Sequence, residues 1–279
     1  MADMIFPKMI SYEYTVPSFY EGTVCDFLKS RYNYSSRVIN AVKQDGKLLV
    51  NGEYAYFITK IREGDKICII LPKEKNALDE SDLPLDIIYE DADILIINKQ
   101  ANVVVHPTKS HAENTIANAV AKHWRINGYS AKPRFVNRID MDTTGIVVCA
   151  KNKYVHHVIQ TDFISGKSVK KYIAITAGIP SENKGIIDAN IARTEPFSIK
   201  REVTECGDRA ITHYEVLKRY KDYALISLRL MTGRTHQIRV HLSHIGCPIA
   251  GDSLYGTDTL IKRQALHAPV SYTHLTAFF

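Results

Sequence analysis

Residues 137–145 read NRIDMDTTG and place Arg138, Asp140 and Asp142 on alternate positions ahead of the apolar run Ile146–Ala150. Carboxylates so placed serve as nucleophiles or acid–base pairs, or they close a loop as surface ion pairs. If 138–142 is extended, the three charges share one face, with same-face neighbours roughly 7 Å apart. That spacing admits a glycosidase-type pair, but side chains on one strand run side by side, whereas such a pair must flank the scissile bond. A second cluster, GRTHQIRVHLSHIG at 233–246, carries His236, His241 and His244 near Asp252. Helical steps of five and three spread these rings around the axis, and His-Glu-x-x-His is absent, so a zinc site fits poorly. His236 and Arg239 share a face, with Arg234 just before the helix. Arg239 can grip a carboxylate through two N–H groups, while Arg234, His236 and the helix amides suit a phosphate or a base. A third cluster, GKSVKKYIAITAG, runs Lys167, Lys170 and Lys171 into Tyr172. These are either edge lysines and a core tyrosine, or a basic rim beside an aromatic platform for single-stranded nucleic acid.

The elements that must position these clusters follow from periodicity and turn chemistry. IIYEDADILIINK predicts two strands joined at Glu90–Asp93, and Ile146–Ala150 a further strand. Thr115–Arg125 predicts a helix with Ile116, Val120 and Trp124 on one face, and Tyr154–Ser165 another. KKYIAITAGI predicts a strand and ITHYEVLKRYKDYALISLRLM a hairpin. Thr235–Ile245 predicts a helix with Ile238, Leu242 and Ile245 inward. Strands and helices mix without strict alternation, which implies an α+β fold around a mostly antiparallel, mixed sheet flanked by helices. Gly145 supplies a positive φ or a close backbone approach where loop meets strand, and the Thr143 and Thr144 hydroxyls hold the loop beneath Asp140.

Ahead of these elements, LPKEKNALDESDLP reads as a linker. It divides the chain into residues 1–74, a linker at 75–84, and a larger domain at 85–279. The first part predicts two short helices broken near Asn33, with Ser35 or Ser36 as N-cap of the second. A hairpin at Asn51-Gly52 and a strand after Gly64-Asp65 follow. The 279 residues suffice for a small and a large domain, and 45% apolar residues suffice for their cores. The five cysteines are odd in number and lack a Cys-x-x-Cys pair, which argues against a disulfide framework and a thiolate metal site. Apolar runs such as Ile67–Leu71 are far too short to span a bilayer, and no leader pattern opens the chain, so the expected location is cytoplasmic. Net charge is +6; residues 1–80 hold eleven basic and eleven acidic side chains, so the whole excess lies in 81–279 and leans toward a polyanionic partner.

Two resemblances join these observations. SSRVINAVKQDGKLLVNG and REGDKI resemble the alpha-L RNA-binding domain, which implies that Arg37 and Lys43, with Arg31, touch phosphate. IINKQANVVVHPT, NRIDMDTTGIVVCAKN, KKYIAITAG, GDRAITHYEVL, GRTHQIRVHLSHIGCPIAGDSLYG and QALHA, in that order, resemble the RluA family of RNA pseudouridine synthases over most of 85–270. The resemblance implies an isomerase that flips specific uridines from structured RNA, ribosomal large-subunit RNA first and transfer RNA second, as a monomer without cofactor or metal. It implies that Asp140 is the catalytic aspartate, that Tyr172 lies against the target base and that Arg239 pairs with Asp140. Arg138 then displaces the target nucleotide, and Thr143, Arg234, His236, Lys170 and Lys171 join the RNA-contacting set. Asn137, Ile139 and Thr144 stand where the family pattern has His, Leu and Ser, and Asn137 is expected to alter how the loop meets RNA. The ending PVSYTHLTAFF departs from the family, with Leu275 after His274 in place of Pro.

Overall fold

Side-chain caps start the first helices. Thr23 accepts from the Asp26 amide and opens α1 (Val24–Tyr32), which stops at Asn33 in the left-handed region (φ 57°). Ser35 accepts from the Val38 amide and opens α2 (Ser36–Asp45), which buries Val38, Ile39 and Val42 and leaves Arg37 and Lys43 exposed. Short strands β1 (Ser11–Thr15) and β2 (Gly22–Thr23) precede them. Strands β3 (Lys47–Val50) and β4 (Glu53–Tyr54) form the expected hairpin, with Asn51 (φ 52°) and Gly52 (φ 86°) both left-handed, the geometry of a type I′ turn. After β5 (Lys60–Ile61) and β6 (Lys66–Ile70), a four-stranded sheet forms in the order β1-β6-β3-β4. The computed structural model describes residues 9–165, 169–258 and 260–270; Lys167 and the atypical ending at 271–279 lie outside them.

The larger region begins with β7 (Ile87–Glu90) and β8 (Ile94–Lys99), turned by Asp91, whose carboxylate accepts from the Asp93 and Ile94 amides. Helix α3 (Ile116–Ile126) starts at a reciprocal cap between Thr115 and Asn118 and buries Ile116, Val120 and Trp124. Strands β9 (Arg134–Phe135) and β10 (Thr144–Ala150), helix α4 (Lys153–Ile164) and strand β11 (Lys170–Ala177) follow. Strand β12 (Lys184–Asp188), the small hairpin β13 (Ile191–Arg193) and β14 (Arg201–Val203), and the long hairpin β15 (Ile211–Arg219) and β16 (Tyr223–Leu230) lead to α5 (Gln237–His244) and β17 (Leu266–Val270). The main sheet runs β12-β15-β16-β11-β17-β10-β8-β7, with β9 beside β10. All its pairings are antiparallel except β10 with β17, so the fold is α+β around a mixed, mostly antiparallel sheet, with α3 and α4 packed on it.

The segment 75–84 is irregular, but it is not free. Leu78 and Leu83 pack on the main core, and the Ser81 hydroxyl donates to Asn114. Asn118 donates to the Asp79 carbonyl, and Glu80 and Asp82 pair with Arg125 and Lys122 of α3. Two of its charged residues, Glu80 and Asp82, which read as linker composition, are ion-pair partners of one helix.

The N-terminal region also shares a core with the larger region. Phe27, Val38, Ile67 and Ile69 fall in one buried apolar cluster with Ile94, Ala150, Tyr154, Val155 and Ile159. The Tyr34 and Tyr154 rings stack at 4.1 Å, a contact worth about 0.5–1.5 kcal/mol beyond the area it buries.

Candidate active site

Asp140 sits at the end of an irregular stretch that leaves β9 and turns into β10. Asn137 holds this stretch: its side chain donates to the Ile146 carbonyl and accepts from the Val148 amide, both at 2.9 Å. Its amide thus braces β10. The extended reading of 138–142 fails at Asp140. The Thr143 amide donates to the Asp140 carbonyl at 3.1 Å, closing a turn that breaks strand alternation. Asp140 therefore opens on the cleft, whereas Asp142 does not line it. A side-by-side carboxylate pair is ruled out.

Three supports hold that turn. Thr143 is buried, its hydroxyl accepts from Gln264 at 2.7 Å, and it lines the base of the cleft. Thr144 bonds His267 at 2.8 Å. Gly145 has φ 119°, and a Cβ there would lie 2.3 Å from the Ala268 carbonyl oxygen, so glycine is required for β10 to pair with β17.

A fourth support was not found by sequence reasoning. Lys99, at the end of β8, is fully buried and donates to the carbonyls of Gln100, Val103 and Met141, each at 2.8 Å. All three ammonium protons are thereby placed, one of them inside the Asp140 turn. Burial pushes Lys99 down to about 8, opposed by Asp142 and Asp140. The available signal was a lysine ending the largely apolar strand ILIINK.

Helix α5 presents the opposite wall. Arg239 donates through Nη1 to Asp140 at 3.2 Å. Its two-pronged grip, however, goes to Asp252, with Nε at 2.7 Å and Nη2 at 2.8 Å. Asp252 is itself buried and accepts from the Leu254 and Tyr255 amides. Burial opposes the charge on Arg239, but Asp252 and then Asp140 hold it above its ordinary value. The expected helix start at Thr235 shifts to Gln237, because His236 is left-handed (φ 56°).

That backbone turn aims the His236 ring. Its Nε2 lies 4.0 Å from Asp140 Oδ2, and its Nδ1 is 2.8 Å from the Tyr255 hydroxyl. The hydroxyl accepts from the Arg201 amide, which leaves its proton free to be donated to Nδ1. With the Tyr255 hydroxyl donating to Nδ1, the ring carries its hydrogen on Nε2, facing the cleft. Burial holds His236 below its ordinary value, with Asp140 opposing and Arg239 assisting.

Tyr172 forms the floor. On β11 it shares a face with Lys170, and both line a cleft of about 500 Å³ with Asp140, Arg239 and His236. Burial, and then Asp140, push the phenol well above its ordinary range. Its ring is thus a neutral wall, which disfavours a role as proton acceptor. Lys170 lies over the Phe163 ring at 5.0 Å. Lys171 alternates to the other face and does not line the cleft, so the basic rim is narrower than the run of lysines suggested. Arg138 is exposed at the mouth. Arg234, also at the mouth, donates to the Arg209 carbonyl and lies 3.5 Å from Asp208.

The three histidines of 233–246 diverge: His241 is buried between Thr212 and the Ala189 carbonyl. Among the described residues no group of three or more His, Cys, Asp or Glu side chains has metal-binding geometry.

A cleft offering a carboxylate braced by an arginine, a neutral aromatic floor and basic side chains at its mouth suits a flipped base attached to a polyanion. Comparison with known proteins agrees. Residues 93–244 match the family described as RNA pseudouridylate synthase. Uncharacterized RNA pseudouridine synthase YlyB of Bacillus subtilis is 40% identical over 253 residues, 88% of this chain and 83% of its own length. Ribosomal large subunit pseudouridine synthase D of Pasteurella multocida is 37% identical over 225 residues, 75% of this chain and 69% of its own. Among solved structures, Human RNA Pseudouridylate Synthase Domain Containing 1 superposes with a TM-score of 0.54 at 28% identity, covering 67% of this chain and 78% of that one.

Proposed function

The chain belongs to the RNA pseudouridylate synthase family, and on that premise we propose that Asp140 is the residue on which the isomerisation turns. It is an RNA pseudouridine synthase of the RluA type, and its partner is RNA. The reaction breaks the uridine N1–C1′ bond, rotates the uracil and forms C5–C1′. C5 gives up a hydrogen and N1 gains one, so there is no net redox change.

The observation that carries the assignment is the pairing of Asp140 with Arg239 at 3.2 Å over a floor formed by Tyr172. The Asp140 carboxylate is partly open to the cleft, where it can attack the substrate or stabilise a developing cationic sugar. Arg239 aims it, Tyr172 stacks on the flipped uracil, and Arg138 at the mouth displaces the nucleotide from its helix. His236 presents Nε2–H to the same space as a neutral donor. Lys170 and Arg234 meet backbone phosphate, and Lys171 contacts it from outside the cleft.

The substrate is ribosomal large-subunit RNA, a reading supported by the name of the Pasteurella relative. Residues 1–74 form an RNA-binding domain whose exposed Arg37 and Lys43 face phosphate, and the enzyme works as a monomer in the cytoplasm.

The test replaces Asp140 with Asn. Pseudouridine formation, read by mass spectrometry or carbodiimide primer-extension stops on ribosomal RNA, is expected to vanish while RNA binding persists. Unimpaired turnover by Asp140→Asn would remove the assignment, and modification confined to transfer RNA would remove the choice of substrate.

A further inference from the structure

Two RNA-contacting units joined by a segment such as 75–84 ordinarily move relative to one another unless a large apolar interface joins them. Here such an interface exists, and it is built on one helix. The first two turns of α4 carry Tyr154, Val155, Val158 and Ile159 into the apolar cluster of the N-terminal unit. Gln160, the next residue, lines the synthase cleft. From Tyr154 to Gln160 the helix rises only about 9 Å.

Polar groups give this contact a single register. Asn152, which caps α4 by accepting from the Val155 amide, donates through Nδ2 to the Tyr12 hydroxyl at 2.8 Å. The Tyr12 hydroxyl in turn donates to Asp93, which the β7–β8 turn holds in place. Tyr154 donates to the Tyr32 carbonyl at 3.0 Å, at the C-terminal end of α1, and its ring lies between Tyr34 and Tyr12. Tyr12 is on the first strand of one unit, whereas Asp93, Asn152 and Tyr154 belong to the other. A slip of the interface would strand these half-buried hydroxyl and carboxylate groups without partners.

We propose that Tyr12, Asp93, Asn152 and Tyr154 are specificity-determining residues that lock the N-terminal unit to α4, so that the enzyme reads its RNA at two points a fixed distance apart. This rests on the reading of residues 1–74 as an RNA-binding unit. An RNA is then a good substrate only if a phosphate run meets Arg37 and Lys43 while its target uridine reaches Asp140. A lock of this kind converts the second contact into an intramolecular one at the matching span and penalises every other span.

Spin labels at Glu63→Cys and Glu182→Cys, in a background with Cys25→Ala, Cys68→Ala and Cys206→Ser, report the separation of the two units by pulsed electron resonance. One narrow separation in the RNA-free protein is expected, and a broad distribution overturns the lock. Tyr154→Leu, or Tyr12→Phe should the former not fold, is expected to broaden it. Target uridines are mapped by incubating the wild-type protein with total RNA from cells lacking the gene. The variant should then modify a short stem-loop carrying a mapped uridine at the wild-type rate, yet lose about tenfold or more on the full-length RNA. Equal effects on both RNAs overturn the proposal. If Arg37→Glu with Lys43→Glu leaves affinity for total RNA unchanged, the RNA role of the N-terminal unit is overturned and the proposal with it, by a signature distinct from a broad separation.

Discussion

Arg239 grips Asp252 through Nε and Nη2, at 2.7 and 2.8 Å, and turns Nη1 alone toward Asp140 at 3.2 Å. The strong, planar contact is structural, and the longer one faces the substrate space. Asp252 thus fixes the plane of the guanidinium, and the plane fixes where the remaining N–H points. Asp252→Asn keeps the size of the side chain but removes one acceptor. Turnover should drop by about 10²-fold, the order expected when a catalytic group is misplaced by an ångström. The drop should appear in single-turnover rate while RNA affinity stays near wild type; an equal loss of affinity would point to a folding defect instead.

Lys99 supplies three of the hydrogen bonds that hold the approach to Asp140. Lys99→Met fills the same space but leaves three buried carbonyls short of a donor, at about 1–3 kcal/mol each. The melting temperature should fall markedly and the residual activity of folded protein should be low. A melting curve superimposable on wild type would mean that the ammonium is not holding the turn.

Asp142 serves as the internal control for Asp140. Among the described residues its hydrogen-bonded atom is the carbonyl, which accepts from Arg263; its carboxylate acts on Lys99 through charge, and it does not line the cleft. Asp142→Ala should leave turnover within a few-fold of wild type, in the range of ordinary substitutions that touch no buried network. Loss of activity comparable to that of Asp140→Asn would revive a two-carboxylate mechanism.

Gly145→Ala should be destabilising beyond the usual glycine replacement. The φ of 119° excludes most side chains, and the new Cβ would meet the Ala268 carbonyl on β17. The conformational part alone exceeds about 1 kcal/mol, and the clash adds to it. Denaturant midpoints measure the sum.

Acid should weaken the fold before carboxylates are titrated. Burial holds His106, His156, His236, His241 and His267 below the ordinary value of 6.5. Because their folded values lie beneath the unfolded one, the unfolded chain binds more protons in the interval between them. Their contribution to stability is therefore complete above about 6.5 and lost as pH falls through the folded values. Melting temperatures recorded from about pH 8 down to about pH 5 should decline across that window. A flat profile would contradict the burial of these rings.

Much of this molecule was legible locally. Ser35 announces a helix because a cap needs only a hydroxyl and an amide three residues on. Asn51-Gly52 announces a hairpin because two successive left-handed residues suit few other pairs. The motif around Asp140, with Tyr172 and Arg239 downstream, was enough to name the chemistry. Tertiary structure decided which groups meet. Arg239 lies 99 residues from Asp140 and 13 from Asp252, and nothing local says which carboxylate receives the two-pronged grip. Lys99 reaches a carbonyl 42 residues away, and that acceptor is a backbone atom, the same in every residue type. Residues 75–84 look like a linker because their partners lie on α3, out of reach of any window along the chain. Caps and turns are encoded by neighbours in sequence, whereas ion-pair choice, burial of a charge and the docking of one unit on another depend on distances that exist only after the chain has packed.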